Sequence, residues 1–189
     1  MSIAGEPVSS TATRLLAGFV ADDAISILRE DHRRIDDLFR QFDKARGEGQ
    51  SGDLARRICG ELLVHSRVED EIFYPAVREA IGADGLMDEA DIEHEVAARL
   101  IDEILRMHPG DDHYCARVKV LGGYVRHHVQ EEQNRMFSKA RQARLDMRLL
   151  GEQILERKKE LQAAFGGVAL HAALRPFPLG MQLNPIEAL

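Results

Sequence analysis

Residues 65–75 read HSRVEDEIFYP, and this stretch decides the fold. It lies inside a segment whose apolar residues recur at the three- and four-residue spacing of an amphipathic helix. At about 100° per residue, Ile58 and Leu62 lie on the same face as His65, and Glu69 is only about 40° away from it. A histidine and a glutamate one turn apart therefore point into the predicted core.

The same helical periodicity continues on both sides of this stretch, and no segment alternates as a strand does. Glycine- and proline-containing breaks separate the helical patterns. The predicted helices run over 22–46, 53–81, 87–107, 111–141 and 146–165. Four long helices with short loops predict an all-α, antiparallel up-down-up-down four-helix bundle with a C-terminal helical extension.

This pattern predicts four parts of the chain. An N-terminal segment covers 1–22, the bundle 23–141, an additional helix 142–166, and an apolar, proline-containing tail 167–189. With 189 residues, 44% hydrophobic and 30% charged, the chain can bury one good core. We expect a single domain with terminal extensions.

The charge pattern argues against a nucleic-acid partner. The 32 acidic and 25 basic residues give a net charge of −7 and are spread along the chain without a basic cluster.

The apolar run LLAGFVA at 15–21 is followed by two aspartates and is too short to span a bilayer. Cys59 and Cys115 have neither CxxC spacing nor a secretory context, so we expect free thiols and a cytoplasmic protein without membrane contact.

Each of the other bundle helices also places a histidine on its apolar face. In the first and third helices these are His32 and His94. The fourth helix offers two HxxxE pairs, and we choose His128 and Glu132 because apolar residues surround them. His127, in the other pair, is predicted to be solvated. The resulting order is His, HxxxE, His, HxxxE, with intervals of 33 and 34 residues, which predicts two similar helix hairpins facing each other.

Buried carboxylates and imidazoles need a cation between them, because burying an unpaired charge costs several kcal/mol. A set of four imidazoles and two carboxylates without thiolate suits neither a closed structural zinc site nor an all-oxygen calcium or magnesium site. Six ligands fit two octahedral ions, with positions left for solvent or a small ligand. Iron is the favoured metal, manganese the next, and a bundle held by zinc the remaining alternative.

Four stretches, EDHRRIDDLF, HSRVEDEIFYP, DIEHEVAARLIDEI and HHVQEEQNRMF, resemble the hemerythrin HHE cation-binding domain family in order and spacing. The similarity covers roughly 23–141. The resemblance implies an antiparallel four-helix bundle with a non-haem, oxo- or hydroxo-bridged di-iron centre that meets dioxygen, hydrogen peroxide or nitric oxide. It assigns as ligands the same six inward-facing residues: His32, His65, Glu69, His94, His128 and Glu132.

One position departs from the family's oxygen carriers, which have a fifth histidine where this chain has Ala98. That difference implies an open coordination position and a bacterial variant with four histidines and two glutamates, of the kind linked to peroxide turnover, sensing or iron handling.

Two nearby residues are weighed as helpers: Tyr124 as a hydrogen-bond donor into the pocket or a packing residue, and Asp36 as an imidazole-orienting or solvated residue. Glu61 is predicted to lie on the surface. Pro75 is expected to kink the second helix.

Two classes of function remain open at this point. The first is a di-iron oxidoreductase that dismutates peroxide, as a catalase does, although no catalytic residue is assigned beyond the possible donor Tyr124. The second is a binding module that senses iron or oxygen, or handles iron, without turnover. A homodimer through the C-terminal helix or tail is a further possibility.

Overall fold

The computed structural model describes residues 23–82 and 85–167, and within these ranges every regular element is helical. The predicted N-terminal segment and almost all of the predicted tail lie outside the described residues. The helices are α1 (Ala24–Lys44), α2 (Glu48–Val68), α3 (Tyr74–Ile81), α4 (Gly85–Arg106), α5 (Tyr114–Glu131), α6 (Phe137–Gln142) and α7 (Met147–Gly167).

Two wider, π-helical turns join consecutive helices without breaking them. The first π turn (Glu69–Phe73) connects α2 to α3, and the second π turn (Glu132–Met136) connects α5 to α6. The chain thus forms five antiparallel rods in its described part. The predicted all-α bundle with a C-terminal helix is confirmed.

Helix starts agree with the prediction where the capping residue was read correctly. Asp23 caps α1, since its carboxylate accepts a hydrogen bond from the Ser26 amide at 2.9 Å. The start predicted at 53 for the second helix was wrong, because the turn covers only 45–47, ending at Gly47 with φ of 81°, and the helix begins at Glu48. The Asp111/Asp112 cap was also wrong. Asp111 instead accepts from the His108 amide, and α5 starts after a left-handed His113.

The fifth rod, α7, packs against α1, α2 and the first π turn. Its buried face includes Leu150, Ile154 and Leu161, which join the apolar cluster formed by the neighbouring helices. Because this face is covered by the bundle, α7 is an integral layer of the fold rather than a detached extension.

The core consists of two apolar layers at different heights along the bundle. One layer includes Leu28, Phe73 and Phe137, and the other includes Phe39 and Leu121. The predicted ligands occupy the level between these layers on α1, α4 and the two π-containing rods. The polar site is therefore enclosed by hydrocarbon above and below.

In the ranges 23–82 and 85–167, none of the helices combines the length and the apolar character needed to cross a bilayer.

Candidate metal centre

All six residues selected from the sequence come together at the centre of the bundle. His32, His65, Glu69 and Glu132 form one group, and Glu69, His94 and His128 form a second. Within each group, one donor atom from every residue lies within 4.8 Å of the others. Glu69 belongs to both groups, so the two clusters share a carboxylate.

In the first group, the donor atoms have the spacing of neighbouring ligands on one ion. His32 Nε2 lies 3.0 Å from His65 Nε2 and 3.1 Å from Glu132 Oε2. His65 Nε2 lies 3.2 Å from Glu69 Oε1. Two ligands at right angles, each about 2.1 Å from a metal, are about 3.0 Å apart. The spacing fits an octahedral edge.

The second group is similar but has fewer carboxylates. His94 Nε2 lies 3.2 Å from His128 Nε2 and 3.5 Å from Glu69 Oε2. Glu132 belongs only to the first group, whereas Glu69 belongs to both. The His94/His128 half is therefore the one with fewer protein donors among the six residues.

The two glutamates carry the strongest indication of a cation. All four of their carboxylate oxygens are buried and have no hydrogen-bond partner within the described residues. Burial, followed by the neighbouring charge of Glu132, raises the pKa of Glu69 well above its ordinary range. Because buried carboxylates normally find donors, these oxygens fit a site that is completed by metal ions.

Three of the four histidines have a hydrogen-bonding partner on their other ring nitrogen, whereas His65 Nδ1 is buried without one in the described residues. Gln133 Nε2 lies 3.0 Å from His32 Nδ1, Asp70 Oδ1 lies 2.7 Å from His94 Nδ1, and Glu93 Oε2 lies 2.8 Å from His128 Nδ1. Asp31 Oδ2 lies 3.6 Å from His65 Nδ1. Such partners fix the orientation of metal-bound imidazoles and strengthen them as ligands.

These partners follow a pseudo-two-fold pattern that the sequence also contains. Asp31 and Glu93 directly precede the single histidines, whereas Asp70 and Gln133 directly follow the glutamates of the HxxxE pairs. Sequence reasoning missed all four. The repeated DH/EH and ED/EQ pairs were a usable signal, but each residue acts on a histidine of another helix, which only the packing reveals.

Asp31, which faces His65, forms a buried ion pair with Lys158. Burial tends to raise the pKa of Asp31, but the contacts with His65 and Lys158 outweigh it and lower this pKa to about 2. For His94, burial is likewise outweighed by Asp70 and Glu69, which raise its pKa to about 10.

Tyr74, which the sequence analysis did not select, reaches the site with its hydroxyl. Its hydroxyl lies 3.4 Å from His94 Nε2 and 3.3 Å from His128 Nε2. Tyr124 is half-buried, and burial, followed by the nearby charge of Glu93, raises the pKa of its hydroxyl. On a regular helix Tyr74 would lie about 140° from Glu69. The π turn between them adds the residue that rotates Tyr74 onto the inner face, which periodicity could not predict.

The other weighed residues lie away from the ligands. Asp36 pairs with Arg40 and Arg126 on the surface, at 2.5 and 3.0 Å, and orients no histidine. Glu61 pairs with Arg34 at 3.0 Å and is partly exposed. His127 is largely exposed, as predicted, and lies 3.7 Å from Glu93.

Pro75 is the second residue after the first π turn, where the expected irregularity occurs. The second π turn is followed by Phe137 and Ser138 and has no proline. Proline is therefore compatible with the widened turn but is not required to form it.

A cavity of about 370 Å³ leads from the surface toward one side of the site. Its walls include His128, Glu132, Glu93, Arg135 and Met136. A small polar molecule can therefore reach the His128 side of the cluster.

The fold and site define this chain as a helical, cation-binding bundle with buried histidine and glutamate clusters. It belongs to the hemerythrin HHE cation binding domain family, whose model matches residues 23–165. The match extends beyond the roughly 23–141 that the motifs cover and includes most of α7.

Two known proteins place this membership in context. The crystal structure of a hemerythrin HHE cation binding domain-containing protein from Mycobacterium kansasii has a TM-score of 0.70, with 23% identity, covering 81% of this chain and 97% of that one. That likeness concerns the fold. A protein named DNA nickase from Nostoc sp. is 26% identical over 115 residues, which are 61% of this chain and 32% of that protein. The chain thus aligns with about a third of that relative's length.

Proposed function

We propose that the six clustered residues hold two iron ions and that the loaded protein dismutates hydrogen peroxide. The observation that carries the proposal is the set of four buried, unpartnered oxygens on Glu69 and Glu132, surrounded by four imidazole nitrogens. Histidine and carboxylate together, without thiolate, favour iron over structural zinc. Such a pair of ions would supply Lewis acidity and two electrons, as conversion of two peroxide molecules to dioxygen and two waters requires.

The chain's own residues favour chemistry on the His94/His128 side. This half has fewer donors among the six ligands, and the cavity reaches its His128. The Tyr74 hydroxyl faces both histidines there. Burial, followed by the charges of Glu132 and Glu69, raises the pKa of Tyr74, so its hydroxyl keeps a proton that it can donate. A small oxygen-containing ligand would thus meet a hydrogen-bond donor in a largely buried site.

The direct test is dioxygen evolution after hydrogen peroxide is added to iron-loaded protein. Sustained evolution with two irons per chain is the expected result. One spectral change without further evolution would instead identify a module that senses or stores, and one zinc with no iron after expression in iron-supplemented medium would overturn the metal assignment.

Ala98→His should slow this turnover. Ala98 lies one turn beyond His94 on α4 and is half-buried, so a histidine there adds an imidazole on the open side. We expect two bound irons, slower dioxygen evolution and a longer-lived oxygen adduct in the visible spectrum. Overpacking can cost about 1–3 kcal/mol, so the melting temperature must be measured too. Parental turnover in a stable, fully loaded variant would contradict the open position.

Tyr74→Phe should lower turnover about 10-fold or more while leaving iron content at two per chain, because proton donation is lost but the six ligands remain. Phenylalanine suits this environment, since Phe137 occupies the equivalent position after the second π turn. Tyr124→Phe is the matched control and should behave as the parent. Equal losses in the two variants, or none in either, would refute the role of Tyr74.

A further inference from the structure

A buried lysine on α7, Lys158, contacts Asp31, a residue beside the ligand His65. Lys158 is only 8% exposed, and its ammonium group contacts both carboxylate oxygens of Asp31, with Oδ2 at 2.6 Å. An ion pair buried in this way contributes little net stability, because desolvating both charges offsets their attraction. Its position next to the site therefore calls for another explanation.

Asp31 connects this lysine to a ligand. Its Oδ2 lies 3.6 Å from His65 Nδ1, a charge contact longer than a hydrogen bond, while Nε2 of the same ring faces Glu69 and His32. Arg34 Nη2 holds Oδ1 at 2.5 Å and is itself held by Glu61. With cations on both oxygens, the Asp31 carboxylate is fixed in the orientation that faces the imidazole.

In the opposite half of the pseudo-two-fold site, no described side chain of α7 pairs with Glu93, the counterpart of Asp31. There Glu93 faces His128 and lies beside the exposed His127, at the wall of the cavity. A second ion pair connects α7 to the first π turn. Arg157 donates from Nε to Glu71 Oε2 at 2.6 Å and from Nη2 to Glu71 Oε1 at 3.3 Å. The fifth rod thus closes one half of the site and leaves the other open.

We propose that Lys158 is a positioning residue of the metal centre, which acts through Asp31 to orient His65 and so sets the affinity of the His32/His65 half for its ion. This inference rests on the proposed two-iron site. It assigns α7 a role in metal binding in addition to its packing.

The test compares Lys158→Met, Lys158→Arg and Lys159→Met with the full-length parent. Lys159 is the neighbouring lysine, 72% exposed in its side chain and paired with Glu156. Anaerobic titration with Fe²⁺ against a competing chelator measures the affinity of each ion. We expect Lys158→Met to weaken one of the two ions about 10- to 100-fold, Lys158→Arg to restore most of that affinity, and Lys159→Met to bind as the parent does.

A second variant separates positioning from folding. Asp31→Leu/Lys158→Met replaces the ion pair by apolar side chains, an exchange that buried pairs often tolerate. It should weaken the same ion as much as Asp31→Leu alone, because Lys158 acts only through Asp31. If Lys158→Met does not fold, the iron affinities of the double variant and of Asp31→Leu test the proposal instead. A lower affinity in the double variant than in Asp31→Leu overturns it.

The titration distinguishes a failure of the proposed two-iron site from a failure of the role of Lys158. A parent chain that binds fewer than two Fe²⁺ ions contradicts the proposed function itself. If the parent binds two ions and Lys158→Met binds both with parental affinity, only the role of Lys158 is refuted. A lowered melting temperature of the metal-free protein with unchanged affinity would likewise assign Lys158 a merely structural role.

Discussion

Glu69→Gln should abolish binding of both iron ions and, at pH 7, raise the melting temperature of the metal-free protein. Glu69 is the carboxylate common to both donor groups, so its loss weakens each of them. Without metal, however, the same carboxylate is unfavourable because it is buried beside Glu132, which raises its pKa. Glutamine keeps the shape and removes the charge.

The stability of the metal-free parent relative to Glu69→Gln should fall as pH rises. A carboxyl whose pKa is higher in the folded than in the unfolded state destabilises the fold increasingly as pH rises above its ordinary value. The metal-free parent should therefore lose stability relative to Glu69→Gln as pH rises from about 4.5 toward the raised pKa of Glu69. Thermal melts of both proteins over this range, with iron content measured in parallel, test both effects.

Glu95→Gln provides the control for this experiment. Glu95 follows His94 directly, is 48% exposed and pairs with Arg99, so it should affect neither iron binding nor the pH dependence. Retention of two irons by Glu69→Gln would contradict the shared position of Glu69 in the centre.

Removal of iron by a chelator should lower the melting temperature of the parent by about 8–16 °C for each tightly bound ion. A ligand at about 1,000 times its dissociation constant stabilises the fold by about 4 kcal/mol. For a chain of this size, 1 kcal/mol corresponds to about 2–4 °C. Calorimetry before and after chelation, and after iron is restored, measures the effect.

His65→Ala should lose most of this metal-dependent stabilisation, because it removes a buried donor of the first group. His127→Ala should retain it, since His127 is 64% exposed in its side chain and belongs to neither group. Equal responses of the two variants would contradict the choice of the inner face on α5.

The sequence was sufficient to predict the bundle and to select the six residues that meet at its centre. Helical period determines which side chains face inward, and a polar residue on an apolar face is visible without any structure. His128 could be separated from His127 for the same reason, because the two differ by about 100° around one helix. The cost of burying Glu69 and Glu132 then indicated a cation before any distance was known.

Only the tertiary structure decided what surrounds those six residues. Tyr74 faces the site because a π turn breaks the regular helical period, so the period could not predict its position. Asp36 has the right spacing from His32 but meets arginines at the surface, whereas Asp31 reaches His65 on another helix. Lys158 lies 127 residues from Asp31. Contacts between rods depend on their relative rotation and height, which the periodicity of a single helix does not determine.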